Sequence, residues 1–183
     1  MGGWWIGYQT VGGLGQDYTF NPMAQVAANP YAFESVLRNG GIATQTATLH
    51  VEVTEDASGS NVLSTTSNAL ILASAEQDTL AANATFSPSN MGLYTIEMWA
   101  EADSAGAGMV YTYSDTASKM TIVTDYIYGK DYNTPNGYWR LNRAFPTPGG
   151  FEVSSNYDIY ADVSLYSVDV HISDWSIPGA EVY

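Results

Sequence analysis

The 183-residue sequence predicts an all-β chain: an antiparallel two-sheet sandwich followed by a second β-module. Three observations predict it. Short alternating apolar segments recur between turn residues from residue 31 onward. Tyr and Trp (14 and 5) outnumber Phe (5) beside abundant Thr, Ser, Val and Ala, and long helical periodicity is absent. Tyrosine and tryptophan suit half-buried sheet faces because each ring has an apolar body and a polar tip.

Taken in order, residues 2–15 are glycine-rich around Trp4-Trp5-Ile6 and predict one short strand. Adjacent tryptophans in a strand point to opposite faces, so at most one enters a given core. Residues 18–26 predict an edge strand interrupted by Pro22. In 31–37, Tyr31, Phe33, Ser35 and Leu37 share a face. Arg38-Asn39-Gly40-Gly41 predicts a turn, since Asn and Gly tolerate positive φ. Residues 46–54 alternate most clearly, with Ala47, Leu49, Val51 and Val53 on one face and Thr48, His50, Glu52 and Thr54 on the other. A loop at 55–60 precedes a strand at 62–65 and a brief apolar run at 69–72. Residues 79–86 predict a strand aligning Leu80, Ala82, Ala84 and Phe86. A turn at 87–92 leads to a long strand at 93–100, a Gly/Ala loop at 104–108 and a returning strand at 120–128.

Seven or so strands at this spacing predict an Ig-like sandwich over residues 1–124, of which 1–17 form a lead-in. Asn90-Met91-Gly92-Leu93-Tyr94-Thr95-Ile96 has the form of a tyrosine corner, the alternative being that Tyr94 is one strand tyrosine among many. Residues 125–183 predict the second β-module: Val163, Leu165, Val168 and Val170 suit strands, and Gly179-Ala-Glu-Val-Tyr begins another. About 60 residues are too few to close a sandwich alone. The expectation is a module cut short, or one completed by a sheet edge of the first module or another chain.

Val36-Leu-Arg-Asn-Gly-Gly, the alternating strand after it, Gly92-Leu-Tyr-Thr-Ile and Val123-Thr-Asp-Tyr-Ile-Tyr resemble Ig-like repeats of the CARDB type in exported multidomain proteins of Bacteroidota. Gly129 and Lys130 stand where those repeats usually carry Ala and Arg, a mild departure. The segment from Phe151 to Val170 is similar to the second module of the same proteins. The resemblance covers most of the chain from Tyr18 onward. It implies export, often through the type IX pathway, and an extracellular or cell-surface location. It carries no activity.

Composition narrows the partners. Lys+Arg total 5 against 19 Asp+Glu, a formal net charge of −14, which repels nucleic acid and anionic lipid. No stretch has the length of a membrane span, so no membrane insertion is expected, and residues 1–16 lack the pattern of a signal peptide. The absence of cysteine excludes disulfides, thiolate zinc and thiol catalysis.

Few residues suggest chemistry. His50 and His171 alternate with apolar neighbours and read as strand-face histidines; a metal would need them close together. Neither a nucleophile elbow nor a phosphate loop occurs, and no helix pattern follows Gly12-Gly13-Leu14-Gly15. The 19 carboxylates offer no spacing that singles out a glycosidase pair. Asp125, Asp131, Asn133, Asp158 and Asp162 are candidate calcium ligands, weighed against a solvated acidic face; no other cofactor is expected. Tyr126, Tyr128, Tyr132, Tyr138 and Trp139 crowd the junction of the two modules, either as a sugar-stacking platform or as interface packing. Asp78-Thr79-Leu80, Asp103-Ser104-Ala105 and Asp115-Thr116-Ala117 resemble the O-glycosylation acceptor of Bacteroidota. Thr79, Ser104 and Thr116 would lie in loops or at strand ends, as an attached glycan requires. The Asn83-Ala84-Thr85 sequon falls inside a predicted strand, which argues against its use. The expected function is a non-catalytic structural, adhesive or filament-forming module whose partners are other chains or flanking domains met through sheet edges. The alternative is a carbohydrate-binding module accompanying a secreted hydrolase, with glycans as partners.

Overall fold

Alternating side chains build two layers in the computed structural model, which describes the backbone of residues 2–7 and residues 18–103, 116–130 and 156–170 in full. The chain divides into two compact units, Met1–Tyr132 and Asn133–Tyr183. In the first unit the elements are β1 (Gly2–Gly7), β2 (Phe20–Pro22), α1 (Met23–Ala28), β3 (Ala32–Arg38), β4 (Gln45–Glu55), β5 (Ser60–Thr66), β6 (Leu70–Leu72), β7 (Gln77–Ala81), β8 (Gly92–Ala102) and β9 (Ala117–Thr124). One sheet runs β1-β3-β7. The other runs β2-β9-β8-β4-β5, with β6 pairing to β4. The fold is all-β and sandwich-like. Its pairings are antiparallel except for β2 with β9, which lie parallel.

The core is the sum of the inward rows. Tyr31, Phe33, Ser35 and Leu37 are buried from one sheet; Ala47, Leu49, Val51, Val53, Tyr94, Ile96, Met98 and Val123 are buried from the other. Complete burial stabilises each large aliphatic side chain by about 1.5–3 kcal/mol, more than an exposed ion pair supplies. A polar bridge crosses this core. Asn21 Nδ2 donates to Thr121 Oγ1 at 2.9 Å, and the Tyr31 and Thr121 hydroxyls share a hydrogen bond at 3.1 Å.

Four expectations need correction. Only Phe20–Pro22 of residues 18–26 is strand, because Met-Ala-Gln-Val-Ala-Ala favours a helical turn that seats Gln25 and Val26 in the core. The turn at Asn39 uses no positive φ there; the only positive-φ residue other than glycine among the described residues is Ala75 (φ 64). Asn39 is instead buried and clamps by its side chain, donating to Ala43 O (2.8 Å) and Leu72 O (2.9 Å) and accepting from Gly41 N (2.9 Å). The strands expected at 79–86 and 120–128 stop at Ala81 and Thr124. Beyond them only isolated bridges continue, Ser67 with Ala82, Tyr31 with Phe86 and Phe20 with Gly129.

The fourth correction concerns the strand segments expected around Val163, Leu165, Val168 and Val170 in the second unit; the strand expected to begin at 179 lies outside the described residues. No strand forms among its described residues 156–170. Ile159, Val163, Leu165, Tyr166, Val168 and Val170 are exposed there, Leu165 at 82% and Tyr166 at 101%. Alternation shows which sides of a strand would be apolar. It cannot supply the neighbouring edge that makes an extended segment a strand.

Candidate functional site

The tyrosine corner forms, and it organises one end of the sandwich. Gly92 has φ +144, a backbone that favours glycine, and this lets the chain enter β8 directly behind the turn. Two residues later Tyr94 is buried, and its hydroxyl donates to Asn90 O at 2.8 Å. Asn90 Nδ2 donates to Glu55 Oε1 (2.9 Å), and Ser58 Oγ donates to Glu55 Oε2 (2.5 Å). Hydrogen bonds from Ser58 and Asn90 hold the Glu55 carboxyl below the usual carboxylate range against a smaller opposing effect of burial. Burial pushes the Tyr94 phenol up, and the neighbouring Glu55 carboxylate adds to the rise. Thr95 Oγ1 donates to Asp56 Oδ1 at 2.8 Å, so the β4–β5 turn and the corner are stitched side chain to side chain.

A cleft of about 320 Å³ opens beside this corner, lined by Val62, Leu63, Thr85, Phe86, Ser87, Ser89 and Tyr94. Its rings are fixed: Phe86 meets Tyr94 edge-on at 5.2 Å and stacks on Tyr31 at 6.0 Å. Thr85, Ser87, Ser89 and Tyr94 bring hydroxyl groups to the lining. The cleft exists because the two sheets are zipped along only part of this side. Asn83 N donates to Thr66 O at 2.9 Å and Ser67 bridges Ala82, but β5 runs on from Thr66 back to Ser60 with β4 as its strand partner among the described residues.

The outer face of the six-stranded sheet carries a second constellation. His50 and Trp99 are directly opposite across β4 and β8, and their rings stack at 5.3 Å and 14°. His50 Nε2 lies 3.3 Å from Glu101 Oε2. The next outward pair is Glu52 with Glu97, like charges facing each other at a cost in sheet stability. An aromatic surface rimmed by carboxylates can stack on a sugar ring and accept hydrogen bonds from its hydroxyls.

The residues singled out in the sequence are not gathered into one place. His50 belongs to the face just described, and His171 lies outside the described residues. Among the described residues, no group of three or more His, Asp or Glu is arranged to hold a metal ion. Asp125 and Asp162 are exposed and Asp158 is half-buried; Asp131 and Asn133 lie outside the described residues. Tyr126 is 82% exposed, whereas Tyr128 stacks on Tyr18 at 4.6 Å inside the first unit, with Lys130 Nζ 4.7 Å from the Tyr18 ring centroid. Tyr132, Tyr138 and Trp139 lie outside the described residues. Thr116 is exposed immediately before β9. Thr79 is exposed but sits mid-strand in β7, its backbone N donating to Asp78 Oδ1 at 2.7 Å, so the expected strand-end position is corrected. Ser104 lies outside the described residues; Asp103 closes the β4–β8 ladder, accepting from Thr46 N through its carboxylate and donating its own N to Thr46 O at 2.9 Å. Asn83 is exposed and outside β7, so its expected strand placement no longer argues against the sequon.

Two features escaped the sequence reading. The cleft is assembled from segments more than twenty residues apart, and no local pattern announces it. Trp99 was open to inference: it is out of phase with Tyr94, Ile96 and Met98, which places it on the outer face.

No known protein family matches the chain, and no curated protein matches it. Among solved structures it is similar to a Bacteroides uniformis beta-glucuronidase at 13% sequence identity and a TM-score of 0.42. The likeness covers 66% of this chain and 13% of the glucuronidase, so the chain spans about an eighth of that protein's length.

Proposed function

We propose that this chain is a non-catalytic structural or adhesive module of an exported bacterial surface protein, joined to other chains or flanking domains through sheet edges. The observation that carries the reading is the set of exposed apolar side chains at Ile159, Val163, Leu165, Tyr166, Val168 and Val170. So many large apolar side chains exposed along one short segment suit an interaction site. The length of β5 back from Thr66, paired among the described residues with β4 alone, offers the complementary feature, an edge that accepts a further strand. The resemblance of residues 36–41, 92–96 and 123–128 supports the exported bacterial setting, and exposed Thr79, Thr116 and Asn83 suit modification there. Sedimentation velocity of the full chain over a wide concentration range tests the reading. Self-association is the expected result; a concentration-independent monomer that captures no flanking domain overturns it.

A carbohydrate-binding role is the second reading, favoured by Trp99, His50 and Glu101 on the outer sheet face. Binding on a glycan array that disappears in Trp99→Ala, with the thermal melt unchanged, would establish it. An array without signal removes it.

A further inference from the structure

The cleft beside the tyrosine corner is the open remainder of a side that the protein has partly closed. At one end the edges of the two sheets are joined by the Asn83 N to Thr66 O hydrogen bond and the Ser67–Ala82 bridge. Toward Ser60 they part, and Leu63, Phe86 and Tyr94 lie in the gap. Both borders of the gap are strand-like. Thr66 turns its carbonyl away from β4, and two residues earlier Ser64 presents its own N–H and C=O in the same direction, since backbone orientation along a strand repeats every second residue. On the opposite border Phe86 exchanges hydrogen bonds with Tyr31 in both directions at 2.9 Å, which turns the backbone of Thr85 and Ser87 away from β3. An extended segment laid between these borders would continue the zip and lower its apolar side chains into a space of about 320 Å³.

The second unit offers a segment with the matching chemistry. Residues 163–168, Val-Ser-Leu-Tyr-Ser-Val, lie outside any strand, expose their apolar side chains and form an uncharged stretch between Asp162 and Asp169. The missing charge matters. The chain carries a net charge of −14, and Glu55 stands one hydrogen-bonded neighbour beyond Tyr94, through Asn90. An acidic strand would carry further negative charge to this end, whereas 163–168 brings none of its own into the cleft. Both sides of the segment are apolar, Val163 and Leu165 on one and Tyr166 and Val168 on the other.

We propose that residues 163–168 of one copy of this chain add as a strand between β5 and residues 85–87 of a second copy, filling the cleft lined by Leu63, Phe86 and Tyr94. The inference rests on the structural-module reading and specifies how the module assembles. It is tested with full-length chains by complementation. Ser64→Pro removes one outward N–H from β5 without touching its ladder to β4. The double variant Leu165→Asp/Tyr166→Asp charges the segment whichever side faces the cleft, at positions already exposed. Each variant alone should raise the apparent Kd of self-association at least about tenfold. An equimolar mixture, which pairs an intact segment with an intact cleft, should recover association as heterodimers. If Ser64→Pro fails to fold, the double variant decides with a second measurement: a photo-crosslinker at Val168 in mixed light and isotope-labelled chains should join labelled to unlabelled peptides containing Val62 or residues 85–89. Undiminished association of the double variant, or crosslinks confined to single copies, overturns the strand-addition site while leaving the structural-module reading in place. A wild-type chain that never associates, even with flanking domains, removes both.

Discussion

At the scale of single residues, the fold depends on polar side chains placed where the alternation alone would put apolar ones. Asn39 satisfies the carbonyls of Ala43 and Leu72, the latter 33 residues away, while its backbone N donates to Glu76 O and its O accepts from Ala75 N. Asn39→Ala would leave a buried carbonyl unpaired, and the expected cost is about 1–3 kcal/mol in urea unfolding. Asn39→Asp should not rescue it, because a carboxylate cannot donate. The sequence shows that a turn belongs here and hides why, since the partners of Asn39 are brought in by tertiary structure. Thr121 is similar. It interrupts the inward row of β9 between Lys119 and Val123, and only the fold reveals that Asn21 and Tyr31 are there to meet it. Hydrophobic alternation, by contrast, was fully legible: Leu49, Val51 and Val53 occupy the positions that period two assigns them.

At the scale of elements, the β4–β5 turn and the corner before β8 act as one unit through Glu55. Its carboxyl is held below its ordinary range by Ser58 and Asn90, so it contributes stability above the pKa of the unfolded chain and loses it as the pH falls through the lower, folded pKa. Wild type should therefore exceed Glu55→Gln in stability at neutral pH, and the advantage should shrink from about pH 4.3 downward. Paired thermal melts across that range would show it; a gap that stays constant into acid would show that these hydrogen bonds do not favour the charged form. The corner itself was readable from Gly92 and Tyr94, because positive φ and a hydroxyl reach are local requirements. The helix at Met23–Ala28 was not, since Tyr18 to Val26 reads as strand unless the high helix propensity of Met-Ala-Gln is weighed against the extended Pro22. The segment at 163–170 marks the opposite limit: its alternation is real, but pairing depends on a partner edge.

At the scale of the whole molecule, a net charge of −14 opposes any contact between copies. Salt screens that repulsion beyond about 8–10 Å near physiological strength. An assembly held by strand pairing and apolar contact should therefore tighten as sodium chloride is raised, whereas one held by ion pairs would loosen. Light scattering across a salt series distinguishes the two. The acidic balance was plain from composition, and the surfaces that must overcome it were not, because they depend on which edges the topology leaves open. Residues 19–22 and the end of the first unit are side by side: β2 pairs parallel to β9, and the chain then returns to fasten Gly129 to Thr19 and Phe20. Tension applied between residues 18 and 130 would meet two arrangements in turn. The antiparallel clamp at Gly129 is loaded at its open end and gives way one bond after another. The parallel β2–β9 pair is pulled lengthwise, its bonds strained together, so the unit would yield a little under a light pull and then resist as a mechanical stop.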